Sequence, residues 1–338
     1  MRITIVDVAR DAGVSIKTVS RVINHEPHVR PAVREKVERA IARLGYVPNA
    51  AARALSGSRS FVIAAFFRNP SLYYISELQK GAMRVCRENG YHLLIEEVDG
   101  GSAEHLRDFD QFLRSVRLDG AILSPPVTDD VDVLSRLDAA GIPYVRLAPL
   151  KQAGRSHALF SDDRGGAALL ARHLLAMGHR RIGIVAGPEG HLASRDRRAG
   201  FLEEIERSGF ESAGVEVVPG DFSFSAGMAA GIELLARQPH VTAIFACNDD
   251  MASGVVAAAA RLGVPVPDAV SVVGYDDSPV ATQVWPPITT IRQPISDMAA
   301  EAARLLIAPG ESEKRVTTRF GIELVDRKST GLNKDLIR

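Results

Sequence analysis

Between Thr4 and Asn24 the apolar positions recur at helical spacing in two short bursts separated by a tight turn. In the second burst Val19, Val22 and Ile23 share one face, and Val8 and Val14 are placed to pack against it. Ile16, Lys17, Ser20, Arg21 and Asn24 fall on the opposite face, where residues four apart line up. Thr4 and Asp7 stand in capping-box spacing at the start of the first helix, which runs to about Ala12. Gly13 supplies the residue that takes positive φ just past a helix end, and Ser15 can cap the second helix. A third helix is expected from Ala32 to Leu44, opened by Pro31 and striped by Val33, Val37, Ala40, Ile41 and Leu44. Gly45 ends it. The pattern predicts a three-helix mini-domain.

Residues 46–60 follow, with Pro48 breaking the preceding helix and Asn49 able to cap a short new one. Residues 50–56 are alanine-rich, but an isolated helix needs roughly 12–15 residues to be even marginal in water. Such a segment should be helical only when docked, and is otherwise a linker. From Phe61 onward short β-rich runs alternate with helical patterns. FVIAAFF (61–67), HLLIEE (92–97), GAILS (120–124) and IPYVR (142–146) read as strands, with helices near 73–89, 103–116 and 130–140. After HALFS (157–161) the pattern restarts with RIGIVAG (181–187), VEVV (215–218), AIFAC (243–247) and VSVVGY (270–275). Helices near 164–177, 194–208, 225–237 and 249–262 separate these runs. This alternation implies parallel sheets with helices on both faces, in two successive subdomains. Ligands of such sheets bind at the carboxyl ends of the strands.

A whole-chain charge of zero hides an asymmetry. Residues 1–60 hold eleven Lys or Arg against five Asp or Glu, and the remainder carries a matching acidic excess. A basic block on an otherwise acidic chain points to a polyanion partner. Together with Lys17 and Arg21 on an exposed helix face, it favours a DNA-reading helix-turn-helix over a plain helical hairpin. No apolar run reaches the roughly 20 residues of a membrane span, and the N-terminus lacks a secretory apolar core. Cys86 and Cys247 form neither a disulfide framework nor a CxxC motif. The expected compartment is the cytoplasm, with Cys86 a core residue and Cys247 placed to line a pocket. Gly183, Gly187 and Gly190 do not make GxGxxG, and no GxxxxGK[ST], GxSxG or HExxH occurs. His25 and His28 share a proline-containing loop without a metal-site pattern. No enzyme activity, cofactor or metal is expected.

The run from Asp7 to Asn24 reads D-V-A-x-x-A-G-V-S-x-x-T-V-S-R-V-x-N, and Y-x-P-N-x-x-A-R-x-L follows from Tyr46 to Leu55. Downstream stand GHRRIGIVAGP (178–188), ND (248–249), PDAVSVVGYDD (267–277) and PPITTIRQP (286–294). In these motifs, their order and their spacing the whole chain resembles the lactose-repressor (LacI/GalR) family of bacterial transcription regulators. The resemblance implies an α/β protein with a small all-α helix-turn-helix headpiece at 1–48 and a hinge helix and linker at 49–60. The core would resemble periplasmic binding proteins. Its N-subdomain would be 61–161 with 292–320, and its C-subdomain 162–291 with 321–338. The chain ends without the heptad-bearing tail of tetrameric members, so a homodimer on a pseudo-palindromic DNA operator is expected, with no membrane partner.

The resemblance also implies roles for particular residues. Ile16, Lys17 and Arg21 fall at base-reading positions, and an arginine there can address guanine O6 and N7 bidentately. Thr18, Ser20 and Asn24 would clamp the DNA backbone, and Thr4, Ser15, Asn49 and Ala52 are further DNA-contact positions. Leu55 would wedge between bases in the minor groove, as apolar side chains of architectural proteins do. For the effector the implied residues are Arg197, Asn248 and Asp276, with Phe222 as an aromatic wall. Tyr73, Tyr74 and Trp285 are further candidate walls, and Asp162 a further acceptor. A carboxylate beside a guanidinium suits vicinal hydroxyls, so a sugar is the expected effector. A nucleobase, a sugar phosphate or a purely sugar-binding role are the alternatives. The alternatives, a structural ion pair of Arg197 with Asp276 and a core role for Phe222, stand beside the favoured ligand role.

Overall fold

A computed structural model describes residues 3–23, 29–46, 59–68, 71–98, 102–210, 214–237, 240–308 and 315–333. The candidate DNA contacts Asn24, Asn49, Ala52 and Leu55, and the expected hinge helix at 50–56, lie outside the described residues. The chain divides into two compact units, Met1–Phe61 and Val62–Arg338.

In the first unit the three expected helices are α1 (Ile5–Ala12), α2 (Ile16–Ile23) and α3 (Pro31–Leu44). Val8, Ala9, Ala12, Val19, Val22, Val37 and Ala40 form its buried core, and Ile5, Val14, Ile41 and Leu44 pack around them. Asp7 Oδ2 accepts from the Thr4 backbone N–H at 3.0 Å and from its hydroxyl at 2.7 Å, which fixes the start of α1. Gly13 sits at φ 60 and lets the chain turn directly into α2.

The second unit opens with the expected alternation. Strands β1 (Val62–Phe67), β2 (His92–Glu97), β3 (Gly120–Leu123), β4 (Tyr144–Leu147) and β5 (His157–Ser161) are separated by α4 (Leu72–Glu88), α5 (Ala103–Ser115) and α6 (Val131–Ala139). The series restarts with α7 (Asp163–Ala176), β6 (Ile182–Ala186), α8 (Leu192–Arg207), β7 (Val215–Pro219), α9 (Phe224–Ala236), β8 (Ala243–Ala246), α10 (Asp249–Arg261) and β9 (Ser271–Val273). After the short α11 (Val280–Gln283) come β10 (Thr290–Arg292), α12 (Ile295–Ile307), β11 (Thr317–Phe320) and β12 (Glu323–Val325).

Two parallel sheets result. The first has the order β11-β5-β4-β3-β1-β2 and the second β7-β6-β8-β9, while β10 and β12 pair antiparallel as a separate ribbon. The chain leaves the first sheet after Ser161, returns through α12 to place β11 beside β5, and leaves it again into β12. Helix α12 and the last two strands are not in the sequence reading. The fourth strand of the second series, β9, is also shorter than expected. It stops at Val273, because a side chain at Gly274 would collide with Asp249 and because Asp276 and Asp277 sit at φ 113 and 56. Among the described residues no helix is long and apolar enough to cross a membrane.

Candidate functional site

A cleft of about 570 Å³ opens between the carboxyl edges of the two sheets. Ser71 and Tyr74 at the start of α4, Pro125 after β3 and Ala148 after β4 line it from the first sheet. His191, Arg197, Phe222, Asn248 and Asp276 line it from the second, and Ser161, Asp163 and Gln293 come from the connecting segments.

Arg197 is the centre of the cleft. It lies early in α8 and is 4% exposed. Its Nε donates to Asp163 Oδ1 at 2.8 Å, and its Nη1 donates to the Cys247 carbonyl at 2.5 Å and stands 3.3 Å from Asp276 Oδ1. The guanidinium also lies 3.8 Å above the Tyr275 ring. Burial pulls its pKa down, but the carboxylates of Asp163 and Asp276 more than offset this and hold it above the ordinary guanidinium value. A hydrogen-bonded ring closes around it. Ser161 Oγ lies 2.5 Å from Asp163 Oδ2 and 3.2 Å from Gln293 Oε1, and Gln293 Nε2 donates to Asp276 Oδ1 at 2.5 Å. Ser161 has one proton to share between its two acceptors.

Asp276 is the member under most stress. It is 7% exposed, sits at φ 113, and burial pushes its pKa up to about 6 against the lowering effect of Arg197 and Gln293. Positive φ in a non-glycine residue stores strain of order 1–3 kcal/mol, as is common at ligand sites. Behind it, buried Asp249 accepts from Thr290 Oγ1 at 2.6 Å and from the Ser278 N–H at 2.7 Å. Burial first, and then Asp276, push its carboxyl far above the usual range.

No side-chain hydrogen bond is made by Asp276 Oδ2 or Arg197 Nη2 among the described residues. A carboxylate and a guanidinium thus line the cleft together. Phe222 flanks them at φ 72, its ring 5.4 Å from the His191 ring in an edge-to-face arrangement. A Cβ at position 187 would stand 2.4 Å from that ring, so glycine is needed there. His191 is kept neutral by burial and by the nearby Arg197 and Arg68.

Of the residues expected to line this site, Arg197, Asp276, Phe222, Asn248 and Tyr74 do so. Asn248 also caps α10, with Oδ1 accepting from Met251 N and Nδ2 donating to the Phe222 carbonyl, both at 2.9 Å. It is thus a support for Phe222. Three expectations are corrected. Asp162 is the N-cap of α7, its Oδ1 accepting from Gly165 N at 3.3 Å, and the neighbouring Asp163 turns into the cleft instead. Trp285 stands on the loop after α11, 84% exposed and outside the cleft. Tyr73 lines an outer groove with Arg292 and Glu323, and its hydroxyl only reaches the Asp276 carbonyl at 3.5 Å. Cys247 is fully buried and contributes its carbonyl, not its thiol. Sequence reasoning missed Asp163, His191 and Gln293. The available signals were the second acid of Asp162-Asp163 and the glutamine of the PPITTIRQP motif.

In the first unit α2 exposes Ile16, Lys17 and Arg21, with Thr18 and Ser20 half-buried. Ser15 Oγ accepts from Thr18 N at 3.1 Å and lies 2.9 Å from Thr18 Oγ1, so both hydroxyls serve the start of this helix. Thr4 likewise serves the start of α1.

The description "Bacterial regulatory proteins, lacI family" matches residues 4–49, and "Periplasmic binding protein-like domain" matches residues 171–330. The HTH-type transcriptional regulator CelR of Thermobifida fusca is 37% identical, covering 97% of this chain and 98% of that protein. A solved CelR–cellobiose complex aligns with TM-score 0.74 and 34% identity over 97% of this chain and all of the other. A crystal structure of the lac repressor dimer bound to operator and the anti-inducer ONPF aligns with TM-score 0.78 and 30% identity over 98% and 100% of the two chains.

The raised pKa of Asp276 has a testable sign. A carboxyl that binds its proton more tightly folded than unfolded favours the folded state below the unfolded pKa, and this contribution is lost as pH rises through the folded value. Through Asp276 the ligand-free protein should therefore lose stability between about pH 4 and 7. Denaturation of the wild type and Asp276→Asn across that range should show a stability difference that changes with pH. A constant difference would mean that Asp276 titrates as an ordinary carboxylate.

Proposed function

The chain belongs to the LacI family of bacterial regulatory proteins, and from that premise we propose that it is a DNA-binding transcriptional repressor released or engaged by an uncharged sugar held in the cleft. The Asp276 carboxylate 3.3 Å from the Arg197 guanidinium, both lining the cleft, carries the reading. A carboxylate oxygen accepts from one hydroxyl while a guanidinium N–H donates to its neighbour, which is the grip a vicinal diol needs. Phe222 offers an apolar face for the ring carbons. The likeness to a regulator solved with cellobiose supports the same class.

The charge balance of the cleft argues against a sugar phosphate. Asp163 and Asp276 face a single guanidinium, His191 is neutral, and no lysine is among the lining residues. A phosphate carries about −1.5 to −2 charges and would enter a site that is already net negative. The groups in the cleft are also tied to one another in a ring rather than arranged as a base and nucleophile, which supports binding without catalysis. Closure follows from placement. A ligand gripped by Arg197 and Asp276 on one side and touched by Ser71 and Tyr74 on the other binds the closed cleft better than the open one, and only such a difference shifts the equilibrium.

At the other end, α2 would enter the major groove of a half-site with Ile16, Lys17 and Arg21 toward the bases, in a homodimer on a pseudo-palindromic operator. Ser20, Ser15, Thr18 and Thr4 would stand nearer the phosphates.

Thermal shift of the full chain against mono- and disaccharides, their 6-phosphates and purines tests the effector class. A ligand at about 100 times its Kd should add roughly 2.7 kcal/mol. A neutral sugar should raise the melting temperature and its 6-phosphate should not; stabilisation by the phosphate or a purine alone would overturn the reading. Arg21→Ala should cost about 1–3 kcal/mol on the preferred operator and relax selectivity at one base pair per half-site. Equal weakening on every sequence, read by competition with operator variants, would reassign Arg21 to phosphate contact.

A further inference from the structure

Arg146 is among the largest fully buried side chains of the described residues, 1% exposed in the middle of β4. It takes no part in the ring around Arg197. Its Nε donates to Ser156 Oγ at 3.1 Å, and its Nη1 donates to the carbonyls of Lys151 at 3.0 Å and Thr128 at 3.4 Å. Its Nη2 donates to the Gln152 carbonyl. Asp129 lies 3.7 Å away and accepts from Leu150 N at 2.7 Å and Lys151 N at 3.0 Å. Together the two charges tie down two loops. One follows β3 and contains Thr128 and Asp129; the other follows β4 and runs through Lys151 and Gln152 to Ser156.

Both loops carry a wall of the cleft. Pro125 lies in the first, and Ala148 opens the second. Ala148 sits at φ 43 and Gln152 at φ 48, in the left-handed region that side chains other than glycine rarely adopt. Two such residues in one short loop persist only when the surroundings hold them. A buried ion pair is a poor source of net stability, since an apolar side chain of similar volume is often as good or better there. Its use must lie elsewhere. We infer that Arg146 and Asp129 are positioning residues for the ligand cleft, clamping the loops after β3 and β4 so that Pro125 and Ala148 form a preset wall opposite Arg197.

This inference rests on the cleft being the effector site, and it makes part of the binding surface rigid before the ligand arrives. A preset wall removes the ordering cost from binding. Loosening it should therefore weaken the ligand by more than any loss of overall stability explains.

The test uses the full chain with Arg146→Met and, as a second variant, Asp129→Asn. In Arg146→Met the Leu150 and Lys151 amides should exchange hydrogen at least about ten-fold faster relative to amides of β1 and β6, and the melting temperature should fall because Asp129 is left without its partner. The saccharide that stabilises the wild type in the thermal-shift panel should bind about ten-fold more weakly, with operator affinity in its absence unchanged. Arg146→Lys, which keeps the charge but not the fork of donors, should recover only part of the protection. Unchanged exchange at Leu150 and Lys151 in both variants would overturn the clamp. So would faster exchange with undiminished saccharide affinity, or exchange that rises by the same factor at Leu150, Lys151, β1 and β6. If no saccharide binds the wild type, the sugar reading fails, and the amide exchange still decides whether Arg146 holds the wall.

Discussion

Everything in the second unit converges on a buried guanidinium shared by two carboxylates. Asp163 enters from the start of α7, Asp276 from the strained turn after β9, and Arg197 from α8, so three separated segments must be correctly folded before the charges can meet. Removing one partner from such a buried pair typically costs about 3–5 kcal/mol, because the remaining charge is left uncompensated. The arrangement is therefore a constraint on the fold as well as the proposed ligand site. It also explains the strain at Asp276, whose carboxyl is drawn toward Arg197 and Gln293 while its backbone N–H remains bonded to the Ile291 carbonyl at 2.8 Å.

The same logic runs through the segments that join the two sheets. Ser161 and Gln293 meet at 3.2 Å where two of the connections pass each other. Arg292 reaches Asp277 at 2.7 Å and Glu323 at 2.6 Å, and Arg327 pairs with Asp277, so the ribbon of β10 and β12 is laced to the turn that carries Asp276. Any shift of the turn that carries Asp276 would reach the connections through these pairs. Interior packing transmits such shifts because cores and interfaces are bistable rather than continuously deformable.

Much of this was legible in the sequence. The period of the apolar positions located α1 to α3 and strands β1 to β9, since each element buries one face and the burial sets the spacing. Helix α12 escaped because β11 returns to β5 in the first sheet, so no new strand–helix unit follows to mark it. Arg197, Phe222 and Asp276 were reachable through family motifs. Asp163 was not distinguished from Asp162, because two adjacent acids at a helix start differ only in where the backbone aims them. Trp285 reads as a cleft wall by its chemistry, yet the turn after α11 presents it to solvent. Arg146 carried no sequence signal, because a lone arginine in a strand run looks like an edge residue until its four partners are in place.

Coupling between the cleft and the DNA is the central claim, and reciprocal titration measures it. The full chain is titrated onto its operator alone and saturated with the saccharide selected by thermal shift. The saccharide is then titrated onto the protein with and without operator. The account predicts that operator affinity changes about 5–150-fold and that saccharide affinity changes by the same factor. Identical operator affinity in the two conditions, with the saccharide demonstrably bound, would contradict it.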